Sequence, residues 1–258
     1  VGIYLARKWR EQPQHGVQLA RNHPLAVGIG RVIFPLNRED LVSGQALSFT
    51  TLPQLMRYGR GTVVRYGSTA GGRITVPTPT PAAGYTMGVV NVPINGSSNE
   101  VIGFAQTAGS STAERRISCD SAGATPYYFQ INDGASKQSG SVGNANLTAG
   151  ARDIVVGRCT NAFVIQCWFN GFASTTTACA NNGFAYTPIP VFGINTNNAA
   201  IADGGVQIAV LWYRALTVDE ISWWSECPWL VLERDPHRVY GFTAPAGGAD
   251  VLYPQAVF

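Results

Sequence analysis

Charge is what this sequence has least of. Only 13% of its 258 residues are Asp, Glu, Lys or Arg, against about 25% in an ordinary soluble domain. Long apolar runs are also missing: none reaches the roughly 18–20 residues that would span a bilayer as a helix. The first eleven residues carry Arg7, Lys8 and Arg10 with no apolar stretch behind them, so a secretory leader is not expected there. No short repeat occurs, which excludes collagen-like and low-complexity chains. The net charge is only +3 and the hydrophobic share is 45%, so a disordered chain is excluded as well. What is abundant is glycine, 29 residues, and proline, 15, both spread along the whole length. That combination describes a weakly charged chain with many turns.

The small net charge conceals an asymmetry. Residues 1–73 hold ten Lys and Arg against three acidic residues, Glu11, Glu39 and Asp40, and the remainder of the chain is net acidic. The arginines of the front end are scattered, without the dense basic run and interleaved aromatics of a nucleic-acid surface. No nucleic-acid partner is expected, and no membrane partner. The five cysteines, Cys119, Cys159, Cys167, Cys179 and Cys227, are odd in number, form no C-x-x-C and match no common zinc spacing. The apolar neighbours of Cys159 and Cys167 predict buried thiols and folding in a reducing compartment.

The dominant hydrophobic period is two. Phe163, Ile165, Cys167 and Phe169 share one face of a strand that runs into Asn170-Gly171, a two-residue hairpin signal because both positions must accept positive φ. Val206, Ile208, Val210 and Trp212 alternate with Gln207, Ala209, Leu211 and Tyr213, which predicts a central strand apolar on both faces. Further strands are expected at 62–66, 73–76, 85–93, 100–106, 115–119, 126–132 and 152–158, separated by Gly, Asn, Asp and Ser turns. One helix is expected. Thr217 is its N-cap and Glu220 reaches back from the third position; Ile221, Trp224 and Trp223 face the body, and Pro228 stops it. The fold class is therefore all-β: a two-sheet antiparallel jelly-roll sandwich with one short C-terminal helix. Residues 1–30 and 231–258 read as arms around a sandwich at 31–230.

Residues 206–221, ending Tyr213-Arg214-Ala215-Leu216-Thr217-Val218-Asp219-Glu220-Ile221, resemble the last core strand and short helix of LamG-like, concanavalin A-type jelly rolls. Cys167-Trp168-Phe169-Asn170-Gly171 is similar to a hairpin of the same family. Cys227-Pro228-Trp229-Leu230-Val231-Leu232 with Pro236-His237-Arg238-Val239-Tyr240 resembles the tail behind such domains in bacteriophage and prophage proteins. His23-Pro24-Leu25-Ala26 is similar to the start of those domains. The resemblance implies a virion structural protein, a tail appendage, fibre-associated or head-decoration component, assembled in the bacterial host cytoplasm. Its partners would be other virion proteins and further copies of itself. Glycan-cleaving members of the family carry a Glu-x-Asp-x-x-Glu strand, and that spacing does not occur here.

The chemistry of sites is sparse in the sequence. His15, His23 and His237 lie in the expected arms, and no Gly-x-Ser-x-Gly elbow or P-loop occurs. Asp120, Asp133, Asp153 and Asp203 fall on different turns, without the dense acidic loop of a calcium site. No catalytic residue, metal or cofactor is expected. As an alternative to the virion role, the sandwich could be a carbohydrate-binding module for host surface glycans. Tyr127, Tyr128, Trp168 and Phe184, near strand ends or hairpins, would then be stacking rings, against the competing reading that they are core. In the virion reading, Leu252, Tyr253, Val257 and Phe258 anchor the C-terminal arm on a neighbouring chain. A hydrolase is a third and remote reading.

Overall fold

The computed structural model describes residues 12–13, 16–34, 37, 39–46, 48–49, 54–58, 61–66, 74–75, 84–95, 100–101, 104–105, 115–119, 127–132, 136–140, 150–180, 189–190 and 203–235. In chain order the strands begin with β1 (Val17–Leu19), β2 (Ile29–Phe34), β3 (Glu39–Asp40), β4 (Ser48–Phe49), β5 (Gln54–Tyr58), β6 (Gly61–Tyr66) and β7 (Ile74–Thr75). Then come β8 (Tyr85–Asn95), β9 (Glu100–Val101), β10 (Phe104–Ala105), β11 (Arg115–Cys119), β12 (Tyr127–Asn132) and β13 (Ser136–Gly140). The last group is β14 (Asp153–Cys159), β15 (Val164–Phe169), β16 (Phe172–Ala173), β17 (Thr177–Ala178), β18 (Ile189–Pro190), β19 (Asp203–Trp212) and β20 (Leu232–Arg234). A single α-helix among the described residues, α1 (Val218–Glu226), follows β19.

Every recorded strand pair is antiparallel. The large sheet runs β16-β15-β14-β8-β19-β2-β3, and β6 joins the free edge of β19 ahead of β2, carrying β5 with it. A four-stranded sheet, β13-β12-β11-β9, lies against it. The core between them joins Met87, Val89, Val155, Ile165, Cys167, Ala209 and Leu211 of the large sheet to Ile117, Tyr127, Phe129 and Ile131 of the small one. The protein is an all-β sandwich with a short helix.

A second core covers the opposite face of the large sheet. There Val32, Phe34, Val90, Ile154, Val156, Ile208, Val210 and Trp212 meet Ile221 and Trp224 of α1, Trp229 and Val231 of the following 3-10 turn, and Val17 and Leu19 of β1. Burial on both faces is why β8 and β19 read as nearly unbroken apolar runs. Part of the segment expected as an N-terminal arm is thus built into the body. β1 pairs with β20, Val17 opposite Arg234, and Leu25 is fully buried, its carbonyl accepting from Trp212 Nε1 at 2.7 Å.

Strict alternation fails at one place in β19. Val206 pairs with Asn91 and Ile208 with Val90, so Gln207 is the extra residue of a β-bulge. Val206 consequently joins the core between the sheets with Ala209 and Leu211, while Ile208, Val210 and Trp212 face the helix. The period-two reading placed Val206 with the latter group. The Asn170-Gly171 hairpin forms as its sequence demands, with φ of 48° and 87°, and joins β15 to β16. Phe163, assigned to the inward face by alternation, instead precedes β15 with a φ of 55°.

Two glycines let aromatic rings lie directly on the sheet. A Cβ on Gly88 would stand 2.7 Å from the Trp224 ring, and one on Gly157 would stand 2.4 Å from the Phe129 ring. Trp224 in turn meets Trp212 edge-on at 5.6 Å. Both rings are fully buried, so either must displace its neighbours to retreat. Gly88→Ala is expected to lower stability by about 1–3 kcal/mol through overpacking. Denaturant unfolding of the variant measures it, and an unchanged midpoint would show that the ring has room to move.

Candidate functional site

Three of the four aromatic residues expected to stack on sugar are inside the protein. Tyr127 opens β12 pointing into the inter-sheet core, fully buried, with its ring 5.1 Å from that of Phe169. Tyr128 is buried in the same strand, and Trp168 is buried beneath the Arg158 guanidinium, which sits 4.7 Å from its ring centre. A ring covered on both sides has no face for a ligand, so these three side chains are packing groups. Phe184, Leu252, Tyr253, Val257 and Phe258 lie outside the described residues.

Different rings reach solvent. Phe172 is 71% exposed, immediately after the Asn170-Gly171 turn, and Trp223 is half exposed on α1. Trp223 was expected to pack; successive helix residues are turned by about 100°, and with Ile221 and Trp224 seated on the sheet it swings outward. The signal for Phe172 was available in the sequence, because the residue leaving a tight hairpin at a sheet edge has few neighbours to cover it.

Tyr127 belongs to a polar cluster bridging the sheets. Its hydroxyl donates to Asp153 Oδ2 at 2.6 Å and accepts from Asn91 Nδ2 at 3.2 Å. The Asn170 side chain also bonds the Asp153 carboxyl, while its Oδ1 accepts from the Ile154 backbone N–H at 2.8 Å. Asp153 therefore sits at the start of β14 facing the core, where sequence reading had placed it on a turn. Burial pushes its carboxyl above the usual range, against the opposing effect of the two hydrogen bonds. Asn91 and Asp153 are cross-strand partners and both are buried.

No nucleophile and base meet among the groups described. Burial pushes the Cys167 thiol up to about 12, which holds it protonated and unreactive at neutral pH. His23 Nδ1 accepts from the Leu25 backbone N–H at 3.2 Å and burial lowers its pKa, so the ring caps a 3-10 turn. His15 and His237 lie outside the described residues. Among those residues no group of three His, Cys, Asp or Glu could hold a metal, and no helix is long and apolar enough to cross a membrane.

Thr217 and Glu220 form the reciprocal cap of α1: Thr217 Oγ1 accepts from the Glu220 backbone N–H, and Glu220 Oε2 accepts from that of Thr217 at 2.8 Å. Arg214 clasps the same carboxylate with both guanidinium nitrogens at 2.7 and 2.8 Å and donates through Nε to the Val27 carbonyl. The Arg214 bonds, more than the cap, hold the Glu220 pKa below the usual carboxylate range. A lowered folded pKa contributes stability that is present above the unfolded value and lost as pH falls through the folded one. Wild type should therefore exceed Glu220→Gln in stability near neutrality, with the gap closing below about pH 4. Urea midpoints across pH measure this, and a gap that persists in acid would refute the ion pair's role.

No protein-family model matches the chain, and no curated protein matches it in sequence. Its fold does match solved structures. Against the binding domain of Paraclostridial Mosquitocidal Protein 1 the TM-score is 0.57 at 13% identity, covering 78% of this chain and 52% of that one. Against a botulinum neurotoxin type C structure it is 0.55 at 12% identity, covering 77% and 50%. Domain 4 of AbnA, an extracellular arabinanase from Geobacillus stearothermophilus, gives 0.53 at 12% identity, covering 75% of this chain and 96% of that one. The chain thus spans about half the length of the toxin structures and nearly all of the arabinanase domain. At these identities the likeness is one of fold.

Proposed function

We propose that the chain is a non-catalytic binding module that recognises carbohydrate. The observation that carries this reading is the correspondence with nearly the whole of the arabinanase domain, a structure in complex with arabinotriose. Two further matches point the same way: one is a toxin binding domain, and the other is botulinum neurotoxin type C, which depends on interaction with two ganglioside molecules to enter cells. The surface supplies suitable chemistry. The apolar face of a sugar ring stacks on an aromatic ring, and Phe172 and Trp223 present such rings to solvent. The sparse charge of the chain leaves hydroxyls and amides, among them Thr175 and Thr176 beyond the Phe172 hairpin, as the exposed polar groups.

A glycan array probed with the purified chain should show selective binding. Phe172→Ala should weaken the best hit about ten-fold, which is 1.4 kcal/mol, with no loss of thermal stability because the ring is exposed. Trp223→Ala, on α1, tests the other ring in the same way. A flat array would overturn the reading.

A second reading is favoured by the resemblance of residues 206–240 to the strand, helix and tail of phage jelly-roll proteins: a virion structural component acting through protein interfaces. In it Leu252, Tyr253, Val257 and Phe258 anchor neighbouring subunits, and the chain forms homo-oligomers assembled in the bacterial cytoplasm. Mass spectrometry of purified particles should then find the chain in stoichiometric amount. Deleting residues 241–258 should abolish incorporation while leaving the folded sandwich intact. Particles that lack the chain would dismiss the virion reading.

A further inference from the structure

Among Trp212, Trp223, Trp224 and Trp229, only Trp223 reaches solvent; the other three are fully buried. It stands within α1, so its neighbours follow from helical spacing. Residues three and four apart on a helix have Cβ atoms about 5–6 Å from one another. Asp219 lies four residues before Trp223, Glu220 three before it and Glu226 three after it. These are the acids of α1, which carries no basic residue. Arg214 neutralises one of them: it clasps Glu220 with both guanidinium nitrogens and is itself tied to the Val27 carbonyl. Asp219 and Glu226 are exposed, and neither has an ion-pair partner among the described residues.

Trp223 and Phe172 are separate contact points. A Cβ on Gly171 would lie 3.9 Å from the Ser225 Cβ, so Ser225 marks the side of α1 that meets the Phe172 hairpin. Two residues along a helix correspond to about 200° of rotation, which sets Trp223 on the far side, the side of Glu220. The hairpin segment from Asn170 to Ala180 holds no charged residue. The surroundings of the two exposed rings therefore differ in charge.

An exposed indole can take an apolar surface, the face of a sugar or a cation. The carboxylates beside it decide among these. An apolar protein surface laid over Trp223 would strip water from two charges and give them no partner. Hydroxyl and ammonium groups donate to carboxylates, and an acidic group is repelled by them. We propose that Trp223, Asp219 and Glu226 form a sugar subsite that admits neutral and amino sugars and turns away acidic ones. The subsite rests on the carbohydrate reading and adds to it a selection by charge. The ring supplies stacking, and the two free carboxylates accept from hydroxyls or a protonated amine on either side of it. The Arg214–Glu220 clasp holds the first turn of α1 in place beneath them.

The test uses the full chain on an array of matched triplets: a neutral oligosaccharide, the same one ending in an amino sugar, and the same one ending in a uronic acid. At low ionic strength the amino form should bind at least as well as the neutral form. The acidic form should bind about ten-fold more weakly, and added salt should narrow the gap by screening the exposed carboxylates. Trp223→Ala should erase this ranking, whereas Trp223→Phe, which keeps a ring, should preserve it. Asp219→Asn combined with Glu226→Gln should also erase it, with the neutral form still bound. Three forms bound alike by the wild type, or a ranking that survives in Trp223→Ala, would overturn the subsite and leave carbohydrate recognition standing. An array blank for all three would overturn both. Sedimentation that shows a dimer dissociated by Trp223→Ala would overturn the subsite as well, by giving the ring to a second copy.

Discussion

The pairing of β8 with β19, buried on both faces, is the constraint from which the rest of the structure follows. These are the longest strands described, and their ladder runs from Asp203 opposite Asn95 to Trp212 opposite Thr86. A sheet centred on them exposes apolar side chains in both directions. One cover is the four-stranded sheet. The other has to be assembled from what lies nearby in the chain, and it is built from α1, the turn holding Trp229, and the β1–β20 pair. The N-terminal and C-terminal parts of the described chain meet there because neither alone supplies enough apolar surface.

The joint between sheet and helix is held by groups that are each used twice. Thr86 Oγ1 donates to the Arg214 carbonyl and accepts from the Leu216 backbone N–H, which pins the turn after β19 onto β8. Arg214 reaches from that turn to both Glu220 and the Val27 carbonyl. Arg158, stacked on Trp168, donates to the Leu216 carbonyl. With the turn fixed from three sides, α1 can set Trp224 onto bare backbone at Gly88. Such a rigid joint holds α1, and with it the exposed Trp223, in a fixed position on the sheet.

Much of this was legible in the sequence, and what escaped has one physical cause. The Asn170-Gly171 turn and the Thr217–Glu220 cap are local devices, complete within a few residues, and both formed as read. The buried state of Cys159 and Cys167 followed from apolar neighbours along the chain. Tyr127, Tyr128 and Trp168 were candidates for a surface because they sit near strand ends, and strand ends are usually wet. Here the inter-sheet core takes in Tyr127, the core under the helix takes in Trp168, and Tyr128 is buried as well. Trp223 erred in the other direction, since three tryptophans clustered around one helix cannot all face one sheet.

The polar cluster around Tyr127 shows the same division. By itself the sequence determined the alternation of β14 and β8, the hairpin that brings Asn170 back, and the helix that closes the far face, because periodicity, turn residues and caps are encoded in neighbours. It could not place Asp153 beside Asn91 with Tyr127 across from both, since these lie on three strands far apart in the chain. A one-residue bulge decided that Val206 faces the inter-sheet core, and cross-strand register decided that Asp153 stands opposite Asn91. Register is set by how two sheets and a helix share one core. Only the tertiary structure brings the side chains of Asn91, Tyr127 and Asp153 together.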